Sequence, residues 1–157
     1  MTDRKPPRLS ADERTTLLAL LQFQRESLVR KVAGLDEDDA RRQLVPTGTT
    51  LLWLLRHLAG AELRWVADRF AGEGVEIVDD VQPDDTIDSL TAAYREVWAR
   101  VDTIVVAAPS LDTVCQDNQG LSPVNLRWVL AHLLEETARH AGHADILREL
   151  IDGSTGR

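Results

Sequence analysis

Four stretches of this 157-residue chain repeat their apolar residues at intervals of three and four, and nothing between them alternates convincingly as a strand would. That period belongs to helices that each bury one face, so the chain has to pack helix against helix. The first stretch carries Leu17, Leu18, Leu20, Leu21, Phe23 and Leu28 behind a capping-box pattern, Ser10 with Glu13, and predicts a helix over about residues 11 to 33. The second carries Leu51, Leu54, Leu55, Leu58, Ala61, Trp65 and Val66, with Thr49 or Thr50 as its cap and an end near Phe70, before Gly72 and Gly74. A third begins near Asp85 or Thr86, carries Leu90, Ala93, Tyr94, Val97, Trp98, Val101 and Ile104, and stops at Pro109. Ser122 followed by Pro123 predicts a fourth helix over about 123 to 152, ended by Gly153.

The fold class expected is all-α: a four-helix bundle forming a single domain over residues 1–157. Between Glu73 and Asp88 stand seven acidic residues, one proline and no basic residue, a composition that predicts one long solvated connection between the second and third helices. Part of EIVDDV has the makeup of a short strand. A net charge of −8 leaves no cationic face for a phosphate backbone, which excludes nucleic acid as an expected partner. Cys115 is the sole cysteine, so neither an internal disulfide nor a cysteine-rich metal cage is available, and a reducing cytoplasm fits. The opening MTDRKPPRLS lacks the apolar core of a signal peptide, and no segment reaches the roughly 18 to 20 apolar residues of a membrane span. A soluble protein is expected.

The histidines mark the candidate site. His132, His140 and His143 fall within the fourth helical segment, and His57 stands alone in the second. Turning about 100 degrees per residue from Glu136 places Val129, Leu133, His140, Leu147 and Ile151 within roughly 60 degrees on one side of it. Glu136 and His140 therefore lie in the apolar stripe, where a carboxylate costs several kcal/mol unless it is paired or bound to a metal. His57 sits among Trp53, Leu54, Ala61 and Trp65 at helical spacing, so a second helix offers an imidazole to the same interior. Bundles build metal centres from inward carboxylates and histidines on facing helices, and zinc accepts both kinds of ligand.

Two readings remain open on spacing alone. His57 can be a satisfied core histidine, and Glu136 with His140 can be an intrahelical hydrogen-bonded pair. His132 and His143 lie nearer the edge of the stripe and read as solvated groups or as groups behind the ligands. The tryptophans Trp53, Trp65, Trp98 and Trp128 read as core or pocket wall, and Cys115 as an inert thiol with nothing beside it to depress its pKa.

The segments TTLLWLLRHLAGAELRWVADRFAGE and LRWVLAHLLEETARHAGHADILRELIDG, in that order, resemble the DinB-like superfamily of metal-binding four-helix bundles, more narrowly the branch known as DUF664. The resemblance implies a divalent metal, zinc above all with nickel as an alternative, held by His57, Glu136 and His140. Many members have histidine at the place of Glu136; the glutamate is similar to the bundle of mycothiol-dependent maleylpyruvate isomerase. That isomerase has a further domain with residues its reaction needs, so its activity is not expected here. For thiol-using members the resemblance implies that a small thiol, mycothiol, reaches the metal as a thiolate and attacks an electrophile, in a pocket that Trp53, Tyr94 and Trp128 would line. It also implies a homodimer. The expected function is that of a metal-dependent mycothiol S-transferase or related detoxifying enzyme, the alternatives being a non-catalytic metal-binding stress protein or a hydrolase that activates water at the same metal.

Overall fold

Asp12, not Ser10, starts the first helix of the computed structural model, which describes residues 4–156. The Asp12 carboxylate accepts from the Thr15 N–H at 3.0 Å and from the Thr15 hydroxyl at 2.6 Å. A charged acceptor at a helix N-terminus outcompetes a serine two residues earlier, so the expected capping box is not formed and α1 spans Glu13–Val32. Within the polar stretch that follows, Asp36 caps a short helix, α2, Glu37–Arg41. Thr50 caps α3, Leu51–Glu62, accepting from the Trp53 N–H at 3.1 Å. The chain then continues from Leu63 to Phe70 in wider, π-helical winding. Thr86 and Ser89 form a reciprocal capping box at the start of α4, Ile87–Ala107.

The start of the last helix departs from expectation. Ser122 and Pro123 lie outside it, and α5 spans Leu126–Asp152 with Asn125 as its cap. Cys115 N–H donates to Val124 O and Leu126 N–H to Thr113 O, both at 2.9 Å, so the residues before Leu126 are drawn out against the loop from Thr113 to Cys115 and cannot wind. At the other end Gly153 takes φ 74°, the left-handed conformation that favours glycine at a helix end.

The four long helices form the all-α bundle. Helix α1 packs chiefly on α5, and α3 on α4, while α3 also faces α5. Two apolar clusters fill the interior. One gathers Leu28, Leu51, Leu55, Leu58 and Leu147, the other Leu21, Val66, Val101, Val129 and Leu133. Each such side chain removed from water stabilises the fold by about 1.5 to 3 kcal/mol.

Along α1 and α3 the positions between those clusters are held by Arg25 and Glu62, both fully buried. Arg25 Nε donates to Glu62 Oε1 at 2.9 Å and Nη2 to Oε2 at 2.5 Å, the Tyr94 hydroxyl donates to Oε1 at 3.1 Å, and Arg25 Nη1 reaches Asp102 at 2.9 Å. Burial pushes the Glu62 carboxyl up, against the pull of Arg25, and pushes the Tyr94 hydroxyl well up. A polar layer thus ties α1, α3 and α4 at mid-height.

The acidic connection is irregular, and no strand forms in it. It is tethered rather than free: Arg64 holds Asp79, Arg56 holds Asp85, and Arg100 holds Glu73. It also crosses α3 closely at Gly60, where a Cβ would stand 2.9 Å from Asp79 Oδ1 and 3.1 Å from Ile77 Cγ2. No helix among the described residues is long and apolar enough to cross a membrane.

Candidate metal centre

Helix α3 supplies one imidazole and α5 supplies a carboxylate and a second imidazole one turn apart. His57 Nε2 stands 3.2 Å and His140 Nε2 3.1 Å from the same oxygen, Glu136 Oε1. The three potential ligand atoms all lie within 4.8 Å of one another. Two metal–ligand bonds of about 2.1 Å at a tetrahedral angle hold their ligand atoms roughly 3.4 Å apart, so the spacing suits one small divalent ion. An intrahelical Glu136–His140 pair alone would leave His57 out, and the structure includes it. The packing fixes the rings: Trp53, one turn before His57, stacks on it with centroids 4.6 Å apart and 12° between planes. His140 meets His57 edge to face at 4.7 Å.

The electrostatics favour ligand protonation states. Burial pushes the Glu136 carboxyl up, but its hydrogen bond with His57 and the neighbouring His140 outweigh that, and it lies below the ordinary carboxylate range. Burial, then the nearby His57, hold the His140 ring below the usual imidazole value although Glu136 pulls the other way. A metal requires this combination, an ionised carboxylate with a neutral ring. Exposed His143 places Nδ1 3.2 Å from His140 Nδ1, the nitrogen turned away from the carboxylate. His143 therefore stands behind one of the three candidate ligands, in the place of a second-row partner of a metal-bound histidine.

The family model for mycothiol S-transferase matches residues 16–153. The chain belongs to the mycothiol S-transferase family, a DinB-like family. A crystal structure of a conserved protein from Enterococcus faecalis has the same fold, with a TM-score of 0.68 and 17% identity over 92% of this chain and 100% of that one. No curated protein matches the chain.

The three aromatic residues expected around the metal have separate fates in this mycothiol S-transferase family member. Trp53 stands beside the cluster and, with His140, His143, Ile146 and Leu147, lines an open pocket of about 370 Å³. Trp128, 44% exposed, sits two turns from Glu136, stacked on His132 at 5.0 Å and tilted against Trp65 at 5.1 Å. Tyr94 does not line the pocket. It is fully buried, bonded to Glu62 and packed edge to face on Trp98 at 5.0 Å, because a carboxylate inside the bundle needs its hydroxyl. Sequence reasoning missed Arg25 and Glu62 altogether. Their signal was position: Arg25 falls in the stripe of Leu21, Leu28 and Val32, and Glu62 between Leu58 and Val66. Cys115 is buried, and burial pushes its thiol up, which makes it a poor nucleophile.

Proposed function

We propose that this protein is a metal-dependent mycothiol S-transferase in which His57, Glu136 and His140 hold one zinc ion. The observation that carries the reading is the convergence of both imidazoles on Glu136 Oε1, in a chain whose family is defined by mycothiol transfer. A divalent ion bound there would supply a Lewis acid that keeps a coordinated thiol ionised at neutral pH. The chain's own residues account for the rest. Two neutral rings and one carboxylate leave an M²⁺ ion a net charge of about +1, which one thiolate neutralises. His143 Nδ1 stands 3.2 Å from the outer nitrogen of His140, where it would accept the Nδ1 proton once the His140 Nε2 proton gives way to a metal. Trp53 covers one face of His57 and forms a wall of the pocket where an electrophile would sit.

In the reaction the thiol sulfur gives an electron pair to an electrophilic carbon, a sulfur–carbon bond forms, and the leaving group departs with the electrons of the bond that breaks. The thiol proton passes to solvent. No cysteine of the chain takes part, consistent with the raised and buried Cys115. The open pocket beside His140 supports a site reached by small molecules over a sealed metal store. A cytoplasmic location and a homodimer go with this reading, the first because a free thiol substrate persists where thiols stay reduced.

The test is turnover of zinc-loaded protein with mycothiol and a fluorogenic alkyl halide. Conjugate formation should need both thiol and metal, and should stop with a chelator. Turnover that proceeds without either contradicts the assignment.

A further inference from the structure

Two hollows lie along α5 on either side of the three ligands, and they differ in chemistry. Toward the C-terminal end of α5 lies the pocket beside Trp53, walled by Val45, Ile146 and Leu147. Its two threonines, Thr47 and Thr49, bond to each other at 3.0 Å, and apart from the two histidines the rest of its wall is apolar. Toward the N-terminal end of α5 lies a second hollow of about 210 Å³, lined by Trp65, Trp128, Arg69, Asp117 and Asn118. Here the aromatic faces are grouped: Trp65 and Trp128 lie 5.1 Å apart, His132 packs on both, and the Arg69 guanidinium sits 4.2 Å over Trp65.

That second hollow holds unsatisfied polarity. Arg69 Nε is buried with no hydrogen-bond partner, while Nη2 is spent on Gln119 at 2.8 Å. A ligand that brings hydroxyl groups would meet the Arg69 guanidinium and the Asp117 and Asn118 side chains along this wall. Trp128 precedes Glu136 by eight residues, about 12 Å along a helix. A thiol held at the ligands therefore places a body about that long against the tryptophans. Mycothiol has such a body, a hydroxyl-rich disaccharide-like moiety whose C–H faces stack on indole rings and whose hydroxyls pair with arginine and carboxylate.

Resting on the mycothiol reading above, we propose that substrates lie along α5 in one direction: the sugar end of the thiol on Trp65, Trp128 and Arg69, and an apolar, uncharged electrophile in the pocket of Trp53, Ile146 and Leu147. The metal ligands stand between the two, where the sulfur and the reacting carbon have to meet. Trp128 and Ile146 are 44% and 57% exposed and lie outside both apolar clusters, so each can be replaced without opening the core.

Two variants of the zinc-loaded protein test the direction. A mycothiol analogue with alanine in place of its cysteine is titrated calorimetrically, and KM is measured for both substrates. Trp128→Ala should weaken binding of the thiol-free analogue about tenfold and raise the KM for mycothiol similarly, while leaving the KM for N-acetylcysteine, which has no sugar, unchanged. Ile146→Ala should raise the KM for an aryl alkyl halide severalfold and leave analogue binding within about twofold. A wild-type preference for the uncharged halide over a carboxylated one completes the expected result. Exchange of the two variants' effects, or equal effects of both on both substrates, overturns the direction while metal-dependent conjugation still stands. Absence of any thiol-dependent turnover in the wild type removes the proposed S-transferase function, and the direction with it.

Discussion

Glu136 Oε1 is the atom on which the site turns, because rings from two helices approach it within 3.2 Å. Replacing Glu136 with Gln removes the charge and should weaken zinc binding by about 100-fold or more, whereas His143→Ala, which frees only the outer nitrogen of His140, should cost about tenfold. Competition titration with a chromophoric chelator measures both; equal losses count against the division into ligand and supporting group. These residues were legible in sequence because a four-residue spacing on one helix fixes Glu136 against His140 regardless of tertiary detail. Tyr94 was not, since an aromatic residue on an apolar stripe looks the same whether it faces a pocket or a buried carboxylate on another helix. Arg25 and Glu62 were hidden for a related reason: a charged residue reads as surface until its partner, 37 positions away, is brought to it.

At the scale of elements, the long helices were readable from their period, and their ends were readable only where the capping group is local. Thr50, Thr86 and Gly153 act through neighbours a few residues away, so the starts of α3 and α4 and the end of α5 fell where expected. The start of α5 is set instead by pairing with the loop from Thr113 to Cys115, a contact that no local pattern announces. The C-terminal end of α5 carries a pH-dependent tie. Arg148 donates to Lys31 O and Ala33 O, both at 2.9 Å, at the end of α1, and also holds the Asp152 carboxylate, whose other oxygen accepts from Ser154 N–H at 2.9 Å. Hydrogen bonding to Arg148, then to Ser154, lowers the Asp152 pKa from 3.8 to about 2. A lowered folded value means that the contribution is complete above the unfolded value and disappears as pH falls through about 2. The Ser154 amide resonance, followed from pH 5 to 1.5, should titrate near that lower value; a midpoint near 3.8 would show that the tie is not made.

Across the whole molecule, the bundle joins two apolar clusters around a buried ion pair, with its candidate chemistry in the groove between α3 and α5. The polar layer is costly to break singly. Glu62→Leu leaves buried Arg25 with only Asp102 as a charged partner and Arg25→Met leaves buried Glu62 with only the Tyr94 hydroxyl, so each should destabilise the fold by about 3 kcal/mol, while the double replacement should cost less than the sum of the two. Urea unfolding of the three variants checks this, and additive losses would contradict it. The bundle was foreseeable from four periodic segments; the tethering of the acidic connection by Arg56, Arg64 and Arg100 was not, because composition shows charge and not where the opposite charge stands. The central claim, that His57, Glu136 and His140 hold a metal open to the sulfur of mycothiol, is tested most directly by X-ray absorption at the zinc edge. The account predicts nitrogen and oxygen neighbours alone at about 2.0 to 2.1 Å, joined on adding mycothiol by one sulfur at about 2.3 Å that the Glu136→Gln protein fails to acquire. Protein that binds no zinc, or zinc whose surroundings stay free of sulfur at saturating thiol, would contradict it.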